Sequence, residues 1–490
     1  MVTIVWTKSG GVRGEIRPDG THTFLGIPYA KPPLDELRYQ TPVPVDPWTG
    51  IRDALTYGPS APQAPPGAGL FQELIIPGDD FLNLNVYTPD LGSARLPVLV
   101  WIHGGAFIRG SNSAPLFRGD SFARNGVVVV TINYRLGVEG YLRLQGAPAN
   151  RGLLDMLAAL AWVQDNIARF GGDPDRVTIG GQSAGGVACA TLLAARQADG
   201  LFRGVISMSG GAHLTVPAGQ AQALAERAAA ELGLPATRDA FAAVPIGETV
   251  RLQEKLYPSG GSAAFRGDPV AFARRTALGL PLAPGVDGDL VPALAIDAIR
   301  SGSGSGTALL VGNTADEHKM LASTGLASTE ADALPDALAM LGLSTESATA
   351  YLASGAPPPR ILAQAFGDFL FRVPALRLAE ARAAAAATWV YQFDWPSPVH
   401  GGAVGAGHGI CLPFAWNQLH ADGSAALVGD DPPQQLADAM HEAWVRFITV
   451  GSPGWPAYRP DRRATMLFDE TCRLADDPLY DLRAAWSGLR

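Results

Sequence analysis

The sequence Gly181-Gln182-Ser183-Ala184-Gly185 sets a serine between two glycines. An apolar, β-branched run, Val177-Thr178-Ile179, precedes it. Small, helix-compatible residues, Val187-Ala188-Cys189-Ala190-Thr191-Leu192-Leu193, follow it. The order spells strand, sharp turn, helix, with Ser183 at the apex, the context in which a G-x-S-x-G match reads as a nucleophile elbow. Glycine flanks such a serine because the backbone is strained there and a Cβ at either side would meet the adjoining strand or helix. The new helix aims its first N–H groups at the serine, where negative charge would develop on a reacting acyl oxygen. A tight glycine turn carrying a passive serine is the plain alternative.

Outward from the elbow the chain alternates strand and helix. Pro97-Val98-Leu99-Val100-Trp101-Ile102 and Gly126 to Arg135 are continuous apolar runs, as in strands covered on both faces of a mostly parallel sheet. A helix opens at Asn150-Arg151-Gly152 and carries Leu154, Leu157, Leu160, Val163 and Ile167 toward Phe170. Gly204 to Gly211, Thr307 to Gly312 and Thr388 to Phe393 read as later sheet strands, with a short last one near Ala464–Phe468. This succession implies an α/β architecture. Residues 217–274 and 321–382 are Ala-rich and helical, and are expected to be cap-like insertions in a single catalytic domain spanning 1–490. Asp79 to Tyr87 reads as an alternating strand, and Pro433–Thr449 as a helix. Ser301-Gly302-Ser303-Gly304-Ser305-Gly306 precedes a strand and lacks the Lys-Ser/Thr of a phosphate loop, so it reads as a flexible surface connection.

Composition narrows the classes. The 490 residues are 47% hydrophobic and 17% charged, with a formal net charge of −9, as in a soluble globular enzyme. No basic stripe exists to neutralise phosphates, so neither nucleic acid nor an anionic membrane surface is an expected partner. No apolar run approaches the ~18 residues of a bilayer span. Met1 to Lys8 reads as a strand rather than a signal peptide. Cys189, Cys411 and Cys472 have neither metal-type spacing nor an even count. A cytoplasmic protein, monomeric or a small homo-oligomer, without metal is expected.

Phe170-Gly171-Gly172-Asp173-Pro174, Val177-Thr178-Ile179 and Gly181 to Gly186 together resemble the signature of the type-B carboxylesterases, a family of the α/β-hydrolase fold. The aromatic, Pro-rich segment Phe24 to Pro33, with Arg38-Tyr39, Trp48 and Tyr57-Gly58-Pro59, resembles the family's entry segment. The resemblance implies an α/β-hydrolase fold: a large, mostly parallel central sheet flanked by helices, with helical insertions over the active site. The family's early disulfide would join two positions that are Ala61 and Phe81 here, so both partners are absent together.

A serine hydroxyl needs a base, and the base an orienting acid. In α/β-hydrolases the chain order is serine, acid, histidine. This leaves His318, His400, His408, His420 and His441 as later candidates. His408 sits on a glycine-flanked loop, Ala406-Gly407-His408-Gly409, soon after the strand ending at Phe393, and is preferred to His400. Its surroundings also resemble the family's catalytic-histidine motif, with Cys411 in place of a glutamate. For the acid, spacing leaves Asp316 and Glu317 open, both just past a strand's carboxyl end. The family's Asp-Glu-Gly motif implies Glu317, with His318 replacing the glycine and Asp316 a structural neighbour. Trp101-Ile102-His103-Gly104-Gly105-Ala106-Phe107 matches an HGGG-type loop, implying an oxyanion hole from the amides of Gly105, Ala106 and Ala184. Ser209 resembles a serine that supports the His–acid pair, and Phe107, Phe202, Trp395 and Phe414 are candidate walls of an apolar pocket.

These readings predict a serine carboxylesterase for small or aromatic esters, working through an acyl-enzyme and needing no cofactor. A carbamate or amide hydrolase using the same triad is the alternative. A binding module without catalysis, as some relatives have become, is the contrasting class.

Overall fold

The computed structural model of the chain describes residues 1–66, 73–92, 95–256, 280–320, 331–382, 385 and 387–489. Among these, thirteen strands form one sheet. They are β1 (Val2–Trp6), β2 (Gly11–Ile16), β3 (His22–Pro28), β4 (Ile51–Asp53), β5 (Asn83–Thr88), β6 (Leu96–Ile102) and β7 (Val128–Ile132). After these come β8 (Gly172–Gln182), β9 (Gly204–Met208), β10 (Ala308–Thr314), β11 (Thr388–Phe393), β12 (Ala464–Phe468) and β13 (Arg473–Asp476). The order across the sheet is β1-β2-β3-β5-β7-β6-β8-β9-β10-β11-β12-β13, with β4 beside β2. From β7 to β12 every neighbour is parallel, and antiparallel strands flank this centre on both sides.

The continuous apolar runs have their cause here. Val98, Val100 and Ile102 of β6 enter one core, while Leu99 and Trp101 enter the other. β7 divides likewise, with Val128, Val130 and Ile132 on one side and Val129 on the other. Both faces of the central sheet are therefore covered, which removes the polar alternation of a half-exposed strand. The helix Arg151–Asn166 opens at Asn150 and buries Leu153, Met156, Leu160 and Val163. The helix Gln434–Val450 matches the helix expected near Pro433–Thr449.

Two sequence expectations need correction. The polar residues of β5 do not face solvent: Asn83 and Asn85 are buried and their amides are bonded. Asn83 donates to the carbonyls of Pro59 and Asp80, and Asn85 to the Asn112 carbonyl and Thr131 Oγ1. Residues 301–306 form an anchored turn rather than a loose connection. The buried Arg382 donates to the carbonyls of Gly304 and Thr307, and a Cβ on Gly304 would lie 2.4 Å from Leu193. The expected insertions are helical where described: Ala218–Leu232, Arg238–Ala242 and Ile246–Leu256 in the first, Leu334–Met340, Thr345–Leu352, Pro358–Gly367 and Val373–Ala381 in the second. Residues 257–274 and 321–330 of these insertions lie outside the described residues. Among the described residues no helix is long and apolar enough to cross a membrane.

Strand register aligns the carboxyl ends. Ile102 pairs with Gly181, Gln182 with Met208, Met208 with Gly312, and Thr314 with Phe393. The segments leaving these strands therefore start along one line, which is where parallel sheets place reacting groups.

Candidate active site

Ser183 follows β8 directly and caps the helix Ala184–Ala194, with φ 57° and ψ −124°. This strained conformation persists because the surroundings over-determine it. The Ser183 N–H donates to the Met208 carbonyl at 2.9 Å, and its own carbonyl accepts from Val187 at 2.9 Å. A Cβ on Gly181 would lie 2.4 Å from the Gly185 carbonyl carbon, and one on Gly185 would lie 2.0 Å from the Ile102 oxygen. The glycines thus permit the turn to press against β6. Gly185→Ala is expected to destabilise the protein by about 3 kcal/mol, the upper part of the over-packing range, because backbone must move. A denaturant midpoint unchanged from wild type would contradict this steric account.

The loop after β6 approaches the elbow from the side. A Cβ on Gly104 would meet the Gln182 oxygen at 2.7 Å and the Ser183 Cβ at 3.3 Å. Gly105, Ala106 and Phe107 all have positive φ, at 109°, 54° and 62°. The N–H groups of Gly105, Ala106 and Ala184 find no acceptor among the described residues. The loop is held from behind. Gln63 exchanges two hydrogen bonds of 2.9 Å with the Gly110 backbone, and Tyr134 donates to the His103 carbonyl at 2.8 Å.

His103 is stacked on Tyr134 at 4.5 Å, and its Nδ1–H donates to the Gly104 oxygen. Burial holds its pKa down to about 4, against only the partial help of that hydrogen bond. The unfolded chain takes this proton near 6.5, so the neutral imidazole gives its full stabilisation above pH 6.5 and loses it as pH falls toward 4. The loss is at most about 3 kcal/mol. His103→Phe, which keeps the stack, is expected to flatten the pH dependence of thermal unfolding across that window.

Glu317 starts the turn after β10 and is 1% exposed. His408 Nδ1 donates to its Oε2 at 2.5 Å, and the Thr314 N–H donates to its Oε1 at 2.9 Å. Burial alone would raise this carboxyl's pKa. The imidazole's charge and hydrogen bond, with the Ser209 hydroxyl and the Thr314 amide, outweigh burial and bring it below the ordinary value. Ser209, buried beside Glu317 with φ 45°, favours the carboxylate without reaching a full hydrogen-bond geometry. Asp316 takes the structural part. Its N–H donates to the Ala406 carbonyl, its Oδ2 accepts from the Ala406 N–H, and Lys319 pairs with it at 2.8 Å. The carboxylate thereby ties the loop carrying His408 to the loop carrying Glu317.

His408 Nε2 reaches the elbow, where Gln182 Nε2 donates to it at 3.1 Å. With Nδ1–H committed to Glu317, Nε2 carries the lone pair, here accepting from Gln182, which is the tautomer a base requires. No hydrogen bond joins Ser183 to His408 in this resting arrangement. Catalytic contacts of this kind are often long without substrate and tighten only when it binds. Sequence reasoning missed Gln182. It also missed Phe371, half-buried, whose ring stacks on His408 at 4.2 Å and 30°.

Three of the four apolar candidates are packed in the cores. Phe107 and Phe414 are fully buried, Phe107 against Tyr141 and Phe414 against Phe393 and Trp395, and Trp395 is itself buried. Phe202 precedes β9 and so lies at the amino end of the sheet, opposite the row of loops around Ser183. His400 lies on a separate exposed turn.

A strained serine between strand and helix, faced by an imidazole–carboxylate pair at the carboxyl edge of a mostly parallel sheet, is the arrangement of the α/β-hydrolases. Comparison with known proteins narrows the class. The carboxylesterase family matches residues 1–478, so the chain belongs to that family and is a carboxylic ester hydrolase. It is 35% identical to the para-nitrobenzyl esterase of Bacillus subtilis, over 98% of this chain and 97% of that one. It is 34% identical to the phenmedipham hydrolase of Pseudarthrobacter oxydans, over 97% of each. Among solved structures, a PNB esterase superposes with a TM-score of 0.87 at 33% identity, covering 99% of both chains. A Geobacillus stearothermophilus carboxylesterase superposes with a TM-score of 0.86 at 35% identity, covering 99% of this chain and 100% of the other.

Proposed function

We propose that this carboxylesterase works by a serine acyl-enzyme route in which Ser183 is nucleophile, His408 base and Glu317 orienting acid. The observation that carries this is His408 itself, anchored through Nδ1 to a buried carboxylate while Nε2 faces the elbow. His408 takes the Ser183 proton as Oγ attacks the acyl carbon, then delivers it to the leaving alcohol. Water, activated by the same nitrogen, releases the acid. The unengaged N–H groups of Gly105, Ala106 and Ala184 receive the oxyanion, each worth about 3 kcal/mol to the transition state.

Small and aromatic esters are the proposed substrates, supported by the likeness to a para-nitrobenzyl esterase. The helical insertions are proposed to cover the site. In support, Gln253 of the helix Ile246–Leu256 donates to the Ile108 carbonyl behind the oxyanion loop, and Phe371 of the second insertion rests on His408. Three free thiols support a cytoplasmic setting.

The test is a panel of acetate to octanoate esters, aryl carbamates and anilides, paired with labelling by a phosphonate. Esters are expected to turn over fastest, and mass spectrometry to find one adduct, on Ser183. An adduct on any other residue, or anilides exceeding esters, would overturn the reading.

A further inference from the structure

The helix Pro358–Gly367 passes into Val373–Ala381 through a single π-helical turn, Asp368–Arg372. Such turns cost hydrogen-bond quality and are frequent at functional sites. This one packs directly on the acid loop: a Cβ on Gly367 would lie 2.9 Å from the His318 backbone nitrogen. Two consecutive side chains on it reach the two halves of the imidazole–carboxylate pair. Arg372 donates to the Ala315 carbonyl, two residues before Glu317, and Phe371 stacks on the His408 ring.

What fixes the turn comes from far along the chain. Arg372 pairs with the buried Asp368 at 2.8 Å. Tyr351 donates its O–H to the other Asp368 oxygen at 2.7 Å. The Trp486 indole N–H, fully buried, donates to Tyr351 at 2.7 Å. Arg377 of the following helix donates to the Trp486 carbonyl at 2.6 Å, closing the connection at its far end. None of these groups hydrogen-bonds Ser183, Glu317 or His408 among the described residues.

We infer that the relay Trp486–Tyr351–Asp368–Arg372 is a positioning device: it sets the turn that simultaneously aims Phe371 at the His408 ring and holds the Glu317 loop in place. The inference rests on the triad reading above. A buried, charge-assisted chain is geometrically stiff, because each partner lost leaves a buried group unsatisfied. Its stiffness is delivered at the imidazole, where a displacement of about 1 Å can cost 10²-fold in rate. These are positioning residues, since none is placed to touch the reacting atoms.

The experiment uses the full chain with a chromogenic short-chain ester. Tyr351→Phe keeps the ring and removes the hydroxyl that joins Trp486 to Asp368. It is expected to lower kcat about 10-fold with KM within twofold, and to broaden the downfield proton resonance of the His408 Nδ1–H. Arg372→Lys, which keeps a positive charge beside Asp368 and gives up the fork that also reaches the Ala315 carbonyl, is expected to do the same and decides the matter if Tyr351→Phe fails to fold. A merely structural relay would lower thermal stability and leave the resonance and kcat unmoved. If Ser183→Ala is inactive while both variants keep wild-type kcat and resonance, the positioning device is overturned and the triad stands. A loss confined to KM would overturn it equally. Retained activity in Ser183→Ala would instead strike the triad on which the inference depends.

Discussion

Ser183→Ala is expected to lower kcat by about 10⁵-fold or more while leaving the fold and its stability intact. The loss is this large because the covalent route disappears, not one contact within it. The residual rate would come from the amides around Gly105 and Ala184, which still polarise a bound ester for attack by water. Stability is expected to hold because Ser183 makes its supporting bonds through the backbone: N–H to Met208 and carbonyl to Val187. The elbow's strain is set by these bonds and by the glycines, so a methyl in place of the hydroxymethyl changes little. Kinetics on a chromogenic ester, with a parallel denaturation curve, reads both halves. Retained turnover would remove Ser183 as nucleophile, and a collapsed denaturation midpoint would show that the hydroxyl has a structural part that the geometry does not reveal.

The elbow was legible in the sequence because its causes are local. Gly181 and Gly185 are needed within a few residues of Ser183, so the steric demand is written into the pentapeptide. The central strands were legible for a similar reason: cover on both faces leaves runs such as Val98 to Ile102 with no polar position. β5 shows where that logic stops. Its asparagines look like the exposed half of an alternating strand, yet partners from three other segments satisfy them in the interior. Asp316 and Glu317 could not be separated by spacing, being adjacent on one turn. The distinction lies in what each meets, the Ala406 amide and Lys319 for one and the His408 imidazole for the other. Phe371 left no trace at all. Nothing in a helical stretch marks one phenylalanine as the residue that lands on a histidine carried by a different loop. Conversely Phe107 and Phe414 carry the aromatic signature of a pocket wall, and only packing reveals them as core.

Glu317→Gln is expected to lower kcat about 10⁴-fold, although it alters one buried atom and almost no volume. In the native protein both carboxylate oxygens accept: Oε1 from the Thr314 N–H and Oε2 from His408 Nδ1–H. An amide has one acceptor oxygen for these two donors. With its oxygen on Thr314, its NH₂ group faces Nδ1 and forces the tautomer protonated on Nε2, which cannot take the Ser183 proton. With its oxygen on Nδ1, the NH₂ group faces the Thr314 N–H and two donors oppose each other in a buried site. Neither orientation supports catalysis without cost. The variant also carries a pH signature. The Glu317 carboxyl titrates below its ordinary value of 4.5 in the folded protein, so its charge stabilises the fold above that value and ceases to do so as pH falls through the lowered one. Glutamine has no such titration. The stability difference between wild type and variant should therefore narrow as pH falls below about 4.5, the ordinary carboxyl value. Denaturation curves from neutral to acid pH test this, and a constant gap across the range would mean that ionisation of Glu317 contributes nothing to the stability of the fold.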